Sequence, residues 1–332
     1  MIDKVLKYLK EKGIEIDGKL LEYVKKGVDI SDDDEYKHDF GEFPENHNES
    51  WYFNFIDRKN NVFLFTRWSM EMFDKKSTIM AVLIVDGKPN AYLSQPTIET
   101  MPDNWGFDKK LKYLCIKPME QWKVEYEDRK FKLDVIFDAR FPVFNYLSHE
   151  DPLESLEKYG VEMLDVAAQQ HYEQGMKVKG TLVLKKTGET RNIDCLGHRD
   201  HSWGTRDWVT IDRWNWISAQ FEDRTINIAR VEVLGKILQT GFISTKDGNT
   251  HIKNVEVETK TKEDGKTPVS STFKLTDEKG NKTTVISNTI QSIHLPLPSP
   301  RGKTEVFEQI VTFKCEGKEG EGISEYLIST RE

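Results

Sequence analysis

The first fifty residues combine a helical pattern with an irregular polar segment. Apolar residues between Ile2 and Leu9 fall on one face of a helix, and a second short amphipathic turn begins at Leu20 and ends near Val24. An acidic connector at 31–35 follows, and the chain then reaches its first strand through a Gly- and Pro-containing stretch. We therefore predict a helical extension and approach segment over residues 1–48.

From residue 51 onward the pattern of apolar and polar side chains changes to a period of two. Residues 51–56 and 62–68 alternate on either side of a polar turn, which predicts a hairpin. Similar pairs continue to residue 140 and resume between 170 and 329, with polar, Gly-rich turns between them. Consecutive hairpins of this kind build an antiparallel sandwich or barrel.

The period of two is interrupted between residues 142 and 170. In this stretch Leu153, Leu156 and Tyr159 have helical spacing, as do Met163 and Val166. The strand pattern predicts an all-β fold, and this break divides it into two packed domains. The N-terminal domain and its linker cover 49–170, and the C-terminal domain covers 171–332. In this prediction, about 50–145 build one barrel and about 178–332 build a separate one.

Length and composition support this organisation and narrow the classes of function. The 332 residues suit two domains, and 37% hydrophobic residues can fill sizeable cores. A net charge of -8 without a basic stripe excludes a nucleic-acid partner. The longest apolar run, 79–85, is too short to cross a bilayer, and the N-terminus lacks a signal-peptide pattern, so we expect a soluble, cytoplasmic protein. The three cysteines lie far apart, which indicates neither a disulfide framework nor a thiolate zinc site.

The densest group of polar and aromatic side chains is the segment 197–208, Gly-His-Arg-Asp-His-Ser-Trp-Gly-Thr-Arg-Asp-Trp. If the strand before it continues, His198 and Asp200 share one face of the sheet while Arg199 and His201 share the other. A second cluster opens at 170–174, where His171 and Glu173 also share one strand face. The pattern therefore predicts two ionisable pairs facing opposite ways.

Tryptophans accompany these charges at Trp203, Trp208, Trp214 and Trp216. Because exposing tryptophan is costly, the combination predicts a partly buried polar network. Such a network can be architectural, locking two domains together, or it can line a ligand pocket with a titratable centre.

Two other chemistries fit the segment less well. His198-x-Asp200 has the spacing of a facial iron triad, with a third ligand at His251 or His294, but the arginines beside it oppose a bound cation. Ser202 lacks the Gly-x-Ser-x-Gly surroundings of a nucleophile elbow. We therefore predict no metal and no other cofactor.

The segment 197–204, followed by Arg206-Asp207-Trp208, resembles the motif of proteins related to hydroxyneurosporene synthase (carotenoid 1,2-hydratase) and of AttH-like proteins. The upstream residues 171–174 with Gly180, the strand at 51–53 and the region 320–327 are similar to the same group. The resemblance extends from about 50 to 329. It implies two packed lipocalin-like β-barrels and a hydrophobic ligand, and carotenoid hydratases add water across an isolated isoprenoid double bond.

Hydrating a trisubstituted alkene requires a proton on carbon and then capture of a tertiary cation by water. A carboxylic acid in an apolar pocket can supply the proton, and Asp200 is the candidate, with His198 beside it. His201 or Glu173 can accept a proton from the water. Tryptophan faces can stabilise the cation, whereas an arginine paired with Asp200 would keep it ionised. The expected ligand-binding set is His171, Trp203, Arg206, Trp208, Arg213, Trp214 and Trp216.

The sequence thus predicts a protein that binds an isoprenoid or lipid-like small molecule and acts on it as a hydratase (a lyase) or an isomerase. The competing hypothesis is a non-catalytic carrier in which the polar motif is architectural. A metal-dependent oxygenase with a His-x-Asp site is the third.

Overall fold

Eighteen strands in the described part of the chain form two antiparallel sheets. The computed structural model describes residues 2–15, 30–43, 45, 47–102, 104–149, 151–160, 170–205, 211–233, 235–299 and 302–331. The strands are β1 His47–Asp57, β2 Val62–Glu71, β3 Lys76–Val85, β4 Lys88–Ser94, β5 Leu111–Lys117, β6 Gln121–Glu127, β7 Phe131–Ala139, β8 Phe144–Asn145, β9 Gln170–Leu184, β10 Glu189–Thr205, β11 Ile211–Phe221, β12 Arg224–Val233, β13 Lys236–Thr245, β14 Gly248–Thr261, β15 Pro268–Asp277, β16 Lys282–Ser299, β17 Gly302–Cys315 and β18 Lys318–Arg331.

The first sheet is a curled half-barrel in the order β4-β3-β2-β1-β10-β9-β7-β6-β5, with β8 paired to β9. Alternate residues of its strands point into the concave side, where aromatic rings such as Trp51, Phe53 and Trp122 form the main core. The second sheet, β11 to β18, closes into an eight-stranded barrel whose interior is filled by residues such as Ile217, Phe221 and Phe273. The predicted all-β fold with two lipocalin-like units is confirmed.

The outer face of the curled sheet packs against the outer face of the barrel. All eleven residues of β1 are buried, because one side of the strand faces the concave core and the other faces the barrel. Apolar side chains from both sheets meet there, among them Phe65 and Ile84 from the curled sheet and Ile310 from the barrel. The two sheets approach each other tightly at Gly175, where an added Cβ would lie 1.9 Å from the Thr225 hydroxyl. We call this contact surface the interface.

Strand membership corrects the predicted division of the chain. The prediction placed residues from 171 onward in the second domain and 178–332 in the second barrel, but β9 and β10 belong to the curled sheet. β10 pairs with β1 over ten positions, from His47↔Thr205 to Ile56↔Leu196. The closed barrel begins only at Ile211. The break at 142–170 therefore interrupts one sheet, because β9 returns after it to pair with β7.

Two α-helices in the described part of the chain lie outside the sheets. Helix α1, Ile2–Glu11, confirms the predicted N-terminal helix, and α2, Pro152–Tyr159, confirms the helical spacing within the linker. Val5 and Leu9 of α1 pack with Leu156 of α2. The predicted turn at 20–24 and the helical spacing at 163–167 lie outside the described residues. None of the helices in the described ranges has the length and apolar character needed to cross a membrane.

Candidate functional site

Residues 197–205 of the polar and aromatic segment lie on β10, and their side chains alternate between the two faces of the curled sheet. His198 and Asp200 point toward the interface, whereas Arg199 and His201 point into the concave side. This confirms the predicted alternation. The two faces carry different hydrogen-bond networks. Only the residues on the interface side can contact a ligand that binds between the sheets.

On the concave side, Arg199 forms a buried ion pair with Glu35. Its Nη1 and Nη2 donate to Glu35 Oε2 and Oε1 at 2.8 and 2.7 Å, and both side chains are at least 99% buried. Glu35 also accepts hydrogen bonds from Tyr172, Trp122 and the backbone of Met119. Burial alone would raise the pKa of Glu35, but the Arg199 charge and these donors outweigh it and lower the pKa. Glu35 is therefore an anion that ties residues 32–35 onto the sheet.

A histidine–carboxylate chain continues this network. His201 Nε2 lies 2.9 Å from Glu49 Oε1, its Nδ1 lies 3.1 Å from the Tyr172 hydroxyl, and His38 Nδ1 lies 2.7 Å from the same Glu49 oxygen. Burial lowers the pKa of His201 despite the carboxylate. The ring of Trp203 stacks on His38 with 4.1 Å between centroids. His201 and Trp203 thus lie on the opposite side of the sheet from Asp200, so the expected roles of both beside Asp200 are wrong.

On the interface side, Glu173 is the centre of a hydrogen-bonded hub. Its Oε1 accepts from Tyr146 and Trp216 at 3.0 and 2.9 Å, and its Oε2 accepts from His198 at 2.6 Å and from the amide of Asn227. The side chain is fully buried. Burial by itself would raise the pKa of Glu173, but the nearby imidazoles of His171 and His198 outweigh burial and hold the pKa below its usual value. Both oxygens of the Glu173 carboxylate already accept hydrogen bonds. Glu173 is therefore better suited to joining the curled sheet to the barrel than to accepting a proton.

The tautomer of His198 follows from its neighbours. Gln220 Oε1 accepts from the Thr225 hydroxyl at 2.7 Å, so the amide nitrogen of Gln220 faces His198 Nδ1 at 3.2 Å. His198 Nδ1 is then the acceptor, and its Nε2–H donates to Glu173. This assigns His198 to the same hub.

Asp200 stands beside the hub in a row that crosses four strands. Arg67 on β2, Tyr52 on β1, Asp200 on β10 and Glu173 on β9 are consecutive partners in the strand register. Asp200 is only partly buried, and its Oδ2 lies 3.9 Å from His171 Nε2. Arg213, which the sequence placed in the expected ligand-binding set, is exposed and lies near Glu232. Arg67 lies two strands away on β2, and its positive charge interacts with Asp200.

The barrel contributes two carboxyl groups to the same region. Glu308 on β17 and Glu325 on β18 are direct cross-strand partners, and Glu325 in turn is opposite Trp216 on β11. The Trp216 ring packs edge-on against Tyr52 at 5.4 Å. Burial, followed by the charge of Glu325, raises the pKa of Glu308 well above its ordinary value. Burial raises the pKa of Tyr52 as well, and the charges of Glu308, Glu325 and Asp200 add to this effect.

We call Tyr52, Arg67, Asp200, Glu308 and Glu325 the interface site. Three buried polar atoms on this surface lack a hydrogen-bond partner among the described residues: Asn54 Oδ1, His171 Nε2 and Glu308 Oε2. His171 Nε2 is 3.2 Å from Glu173 but not aligned for a hydrogen bond. Buried polar atoms are normally hydrogen-bonded to protein or water. Three unpartnered polar atoms on one surface therefore indicate a place where water or a polar group of a ligand binds.

The tryptophans and arginines of the predicted ligand-binding set do not lie together at one site in the described residues. Trp216 joins the hub, Trp214 is half-buried beside the interface core, and Trp203 lies on the concave side. Arg206 and Trp208 lie outside the described residues. Of the predicted ligand-binding set, the structure brings His171 and Trp216 close to Asp200 and Glu173.

The His198-based metal triad does not assemble among the described residues. His198 is bonded to Glu173 and Gln220, His251 lies with His149 and Glu278, and His294 pairs with Glu305. The groupings of potential metal ligands in the described chain do not include His198. The proposed triad is therefore wrong, since its third ligand is placed elsewhere in the fold.

Sequence reasoning missed several residues of these networks. Glu35 lay within a segment interpreted as an acidic connector, and Tyr146 within the linker. Glu308 and Glu325 carried a usable signal, because each shares an outward strand face with an apolar residue, Ile310 and Ile323 respectively. A carboxyl on an apolar strand face is unusual enough to single out.

Solved structures with the same fold cover most of the chain. A protein assigned as an AttH from Nitrosomonas europaea has a TM-score of 0.59 at 16% identity, over 86% of this chain and 95% of that one. Kievitone hydratase from Nectria haematococca has a TM-score of 0.54 at 14% identity, over 86% and 90%. CghA, solved with Sch210972, has a TM-score of 0.57 at 10% identity, over 86% and 89%. At these identities the likeness establishes the fold.

No curated protein matches the chain. A family model matches residues 31–329, from the segment that carries Glu35 through both sheets to the last strand of the barrel. Because this match spans nearly the whole chain, the protein belongs to the family described as "Domain of unknown function (DUF7064)".

Proposed function

We propose that the interface site binds a hydrophobic small molecule and either adds water across one of its carbon–carbon double bonds or forms such a bond by eliminating water from an alcohol. The observation that carries the proposal is the carboxyl pair Glu308–Glu325, which the barrel holds in a buried, largely apolar interface opposite Tyr52 and Asp200. A carboxyl group kept protonated in such surroundings is a proton donor at neutral pH. The existence of a hydratase with this fold supports the reaction class.

The two sides of the interface site supply different halves of the chemistry. Glu308 is buried at the interface on the outer face of the barrel, so we assign it the proton that bonds to the alkene carbon. Asp200 is partly open to water beside His171 and Arg67, so we assign it the proton released when water captures the carbocation. Proton transfer through solvent from Asp200 back to Glu308 then closes the cycle. The faces of Tyr52 and Trp216 stabilise the cation between these steps.

This assignment moves the acid from Asp200, where the sequence suggested it, to Glu308. It also leaves Glu173 and His198 as the hub that joins the sheets. The isoprenoid nature of the substrate remains a proposal, supported by the apolar lining and by the need for a cation-stabilising ring. An isomerase that protonates and deprotonates the same substrate would use the same two groups.

A hydrophobic-ligand carrier is the second candidate. The Glu173 hub favours it, because its donors and acceptor join the two sheets without any reaction. In a carrier, Glu308 would act only as a hydrogen-bond donor to the ligand.

The test is product formation from geraniol, a prenyl alcohol, in heavy-oxygen water. Mass spectrometry should detect one heavy oxygen per hydrated product, and Glu308→Gln should lower turnover by about 10²–10⁴-fold because the amide cannot release a proton. Glu319→Gln, an exposed carboxyl on β18, is the matched control and should behave as wild type. Full turnover in Glu308→Gln would rule out Glu308 as the acid. Geraniol binding without product in the wild type would favour the carrier.

A further inference from the structure

Three metal-ligating side chains converge at a place separate from the interface site. His149 ends the 3-10 helix Leu147–His149, His251 lies on β14, and Glu278 directly follows β15. Their ligating atoms all lie within 4.8 Å of one another. The three residues come from the linker and from two hairpins of the barrel, so the chain brings them together only by folding.

His251 has the features of a preorganised ligand. Its side chain is nearly fully enclosed at 6% exposure, and its Nε2 lies 3.0 Å from the Thr240 hydroxyl. Its Nδ1 is buried without a hydrogen-bond partner in the described part of the chain. With Nε2–H donating to Thr240, Nδ1 keeps an unshared lone pair, and the His251 side chain lies in one group with His149 and Glu278. Metal-bound histidines show this arrangement, in which the second ring nitrogen donates to an outer group.

The other two ligands are also held in place. The His149 ring stacks on Phe144 at 4.5 Å between centroids and lies 5.6 Å from the His251 ring. The backbone N–H of Glu278 donates to the His251 carbonyl at 2.8 Å, which keeps its carboxylate beside His251. Since Glu278 is exposed, one side of the group is open to water.

We propose that His149, His251 and Glu278 bind a divalent transition-metal ion of the zinc class, with water completing the coordination. Two imidazoles and one carboxylate suit zinc, whereas calcium and magnesium prefer oxygen ligands throughout. The ion ties the linker to the barrel, because it joins a residue of the 3-10 helix to two barrel hairpins. The group His38–Glu49–His201 has similar chemistry, but there each ring nitrogen already faces a hydrogen-bond partner.

Zinc titration of the chelator-treated full chain, followed by calorimetry and by metal analysis after dialysis, tests the proposal. We expect one equivalent of zinc per chain and a raised melting temperature on binding. His251→Gln and Glu278→Gln should each weaken binding by at least tenfold, and the exposed position of Glu278 makes its variant safe for folding. Melting without zinc, followed by circular dichroism, checks that each variant is folded.

His294→Gln is the matched control, since this half-exposed histidine pairs with Glu305 elsewhere on the barrel. It should bind zinc as the wild type does. The proposal is overturned if the wild type binds no zinc, if Glu278→Gln and His251→Gln bind it unchanged, or if binding is lost in His38→Gln instead.

Discussion

Replacing Glu35 with Gln should be among the most destabilising single changes in the curled sheet. The substitution keeps the size of the side chain but removes the carboxylate charge that faces the Arg199 guanidinium at 2.7–2.8 Å. It also turns one acceptor oxygen into an amide that points at existing donors, among them Tyr172 and the indole of Trp122. Arg199 then remains buried without an anion.

The size of the effect follows from burial. Breaking a buried ion pair by removing one partner costs about 3–5 kcal/mol, because the remaining charge cannot be solvated. An exposed pair such as Lys117–Glu120 contributes about 0–1 kcal/mol, so Glu120→Gln is the matched control. The pKa of Glu35 is lowered in the folded protein, so its contribution is present above the unfolded pKa near 4.5 and is lost as pH falls through the lower folded value. The difference between wild type and variant should therefore shrink in acid.

Urea unfolding followed by tryptophan fluorescence at neutral and at acidic pH measures both effects. The double variant Glu35→Leu/Arg199→Met should recover the part of the lost stability that comes from the unpaired Arg199 charge, because no buried charge remains. It should not recover the part that comes from Tyr172 and Trp122, whose donors still lack their acceptor. A Glu35→Gln variant that loses less than about 1 kcal/mol, like the control, would refute the reasoning.

Three further outcomes are expected. Glu173→Gln should cost about 1–3 kcal/mol for each buried donor left unpaired, measured by urea unfolding, and an unchanged midpoint would contradict the hub. Gly175→Ala should cost about 1–3 kcal/mol because its Cβ meets Thr225, and Thr225→Ala should restore part of this loss, whereas a neutral Gly175→Ala would show that the sheets can separate locally. Because the pKa of Glu308 is raised in the folded state, wild-type stability should fall as pH rises above about 4.5, by up to about 1.4 kcal/mol per unit, and Glu308→Gln should flatten this slope in urea unfolding. An unchanged slope in the variant would mean that Glu308 is ionised.

The sequence predicts the strands and the two faces of the central segment well, for a physical reason. A strand has a period of two, so once β10 is recognised, His198 and Asp200 must share one face and Arg199 and His201 the other. The eight strands of the barrel follow similarly from alternating segments and polar turns. These are local properties, and local patterns determine them.

The pattern of apolar and polar residues does not determine which strands that are distant in sequence pair with each other. The hairpin β9–β10 is local, but its membership of the curled sheet depends on β1, which lies about 150 residues earlier. Glu35 and Arg199 are likewise far apart in sequence, by 164 residues. Nothing in the acidic segment 31–35 shows which of its carboxylates is fully buried. The assignment of Glu308 likewise required the barrel to be placed against the sheet.

The crystal structure of the protein soaked with geraniol tests the central claim most directly. The proposed function predicts geraniol at the interface, against Tyr52 and Trp216, with a double bond within reach of Glu308 and with Asp200 on the solvent side. The barrel interior is filled by buried side chains such as Ile217 and Phe273, so no geraniol is expected there. Geraniol inside the barrel, or in the concave side beside His201, would contradict the claim that the interface is the site.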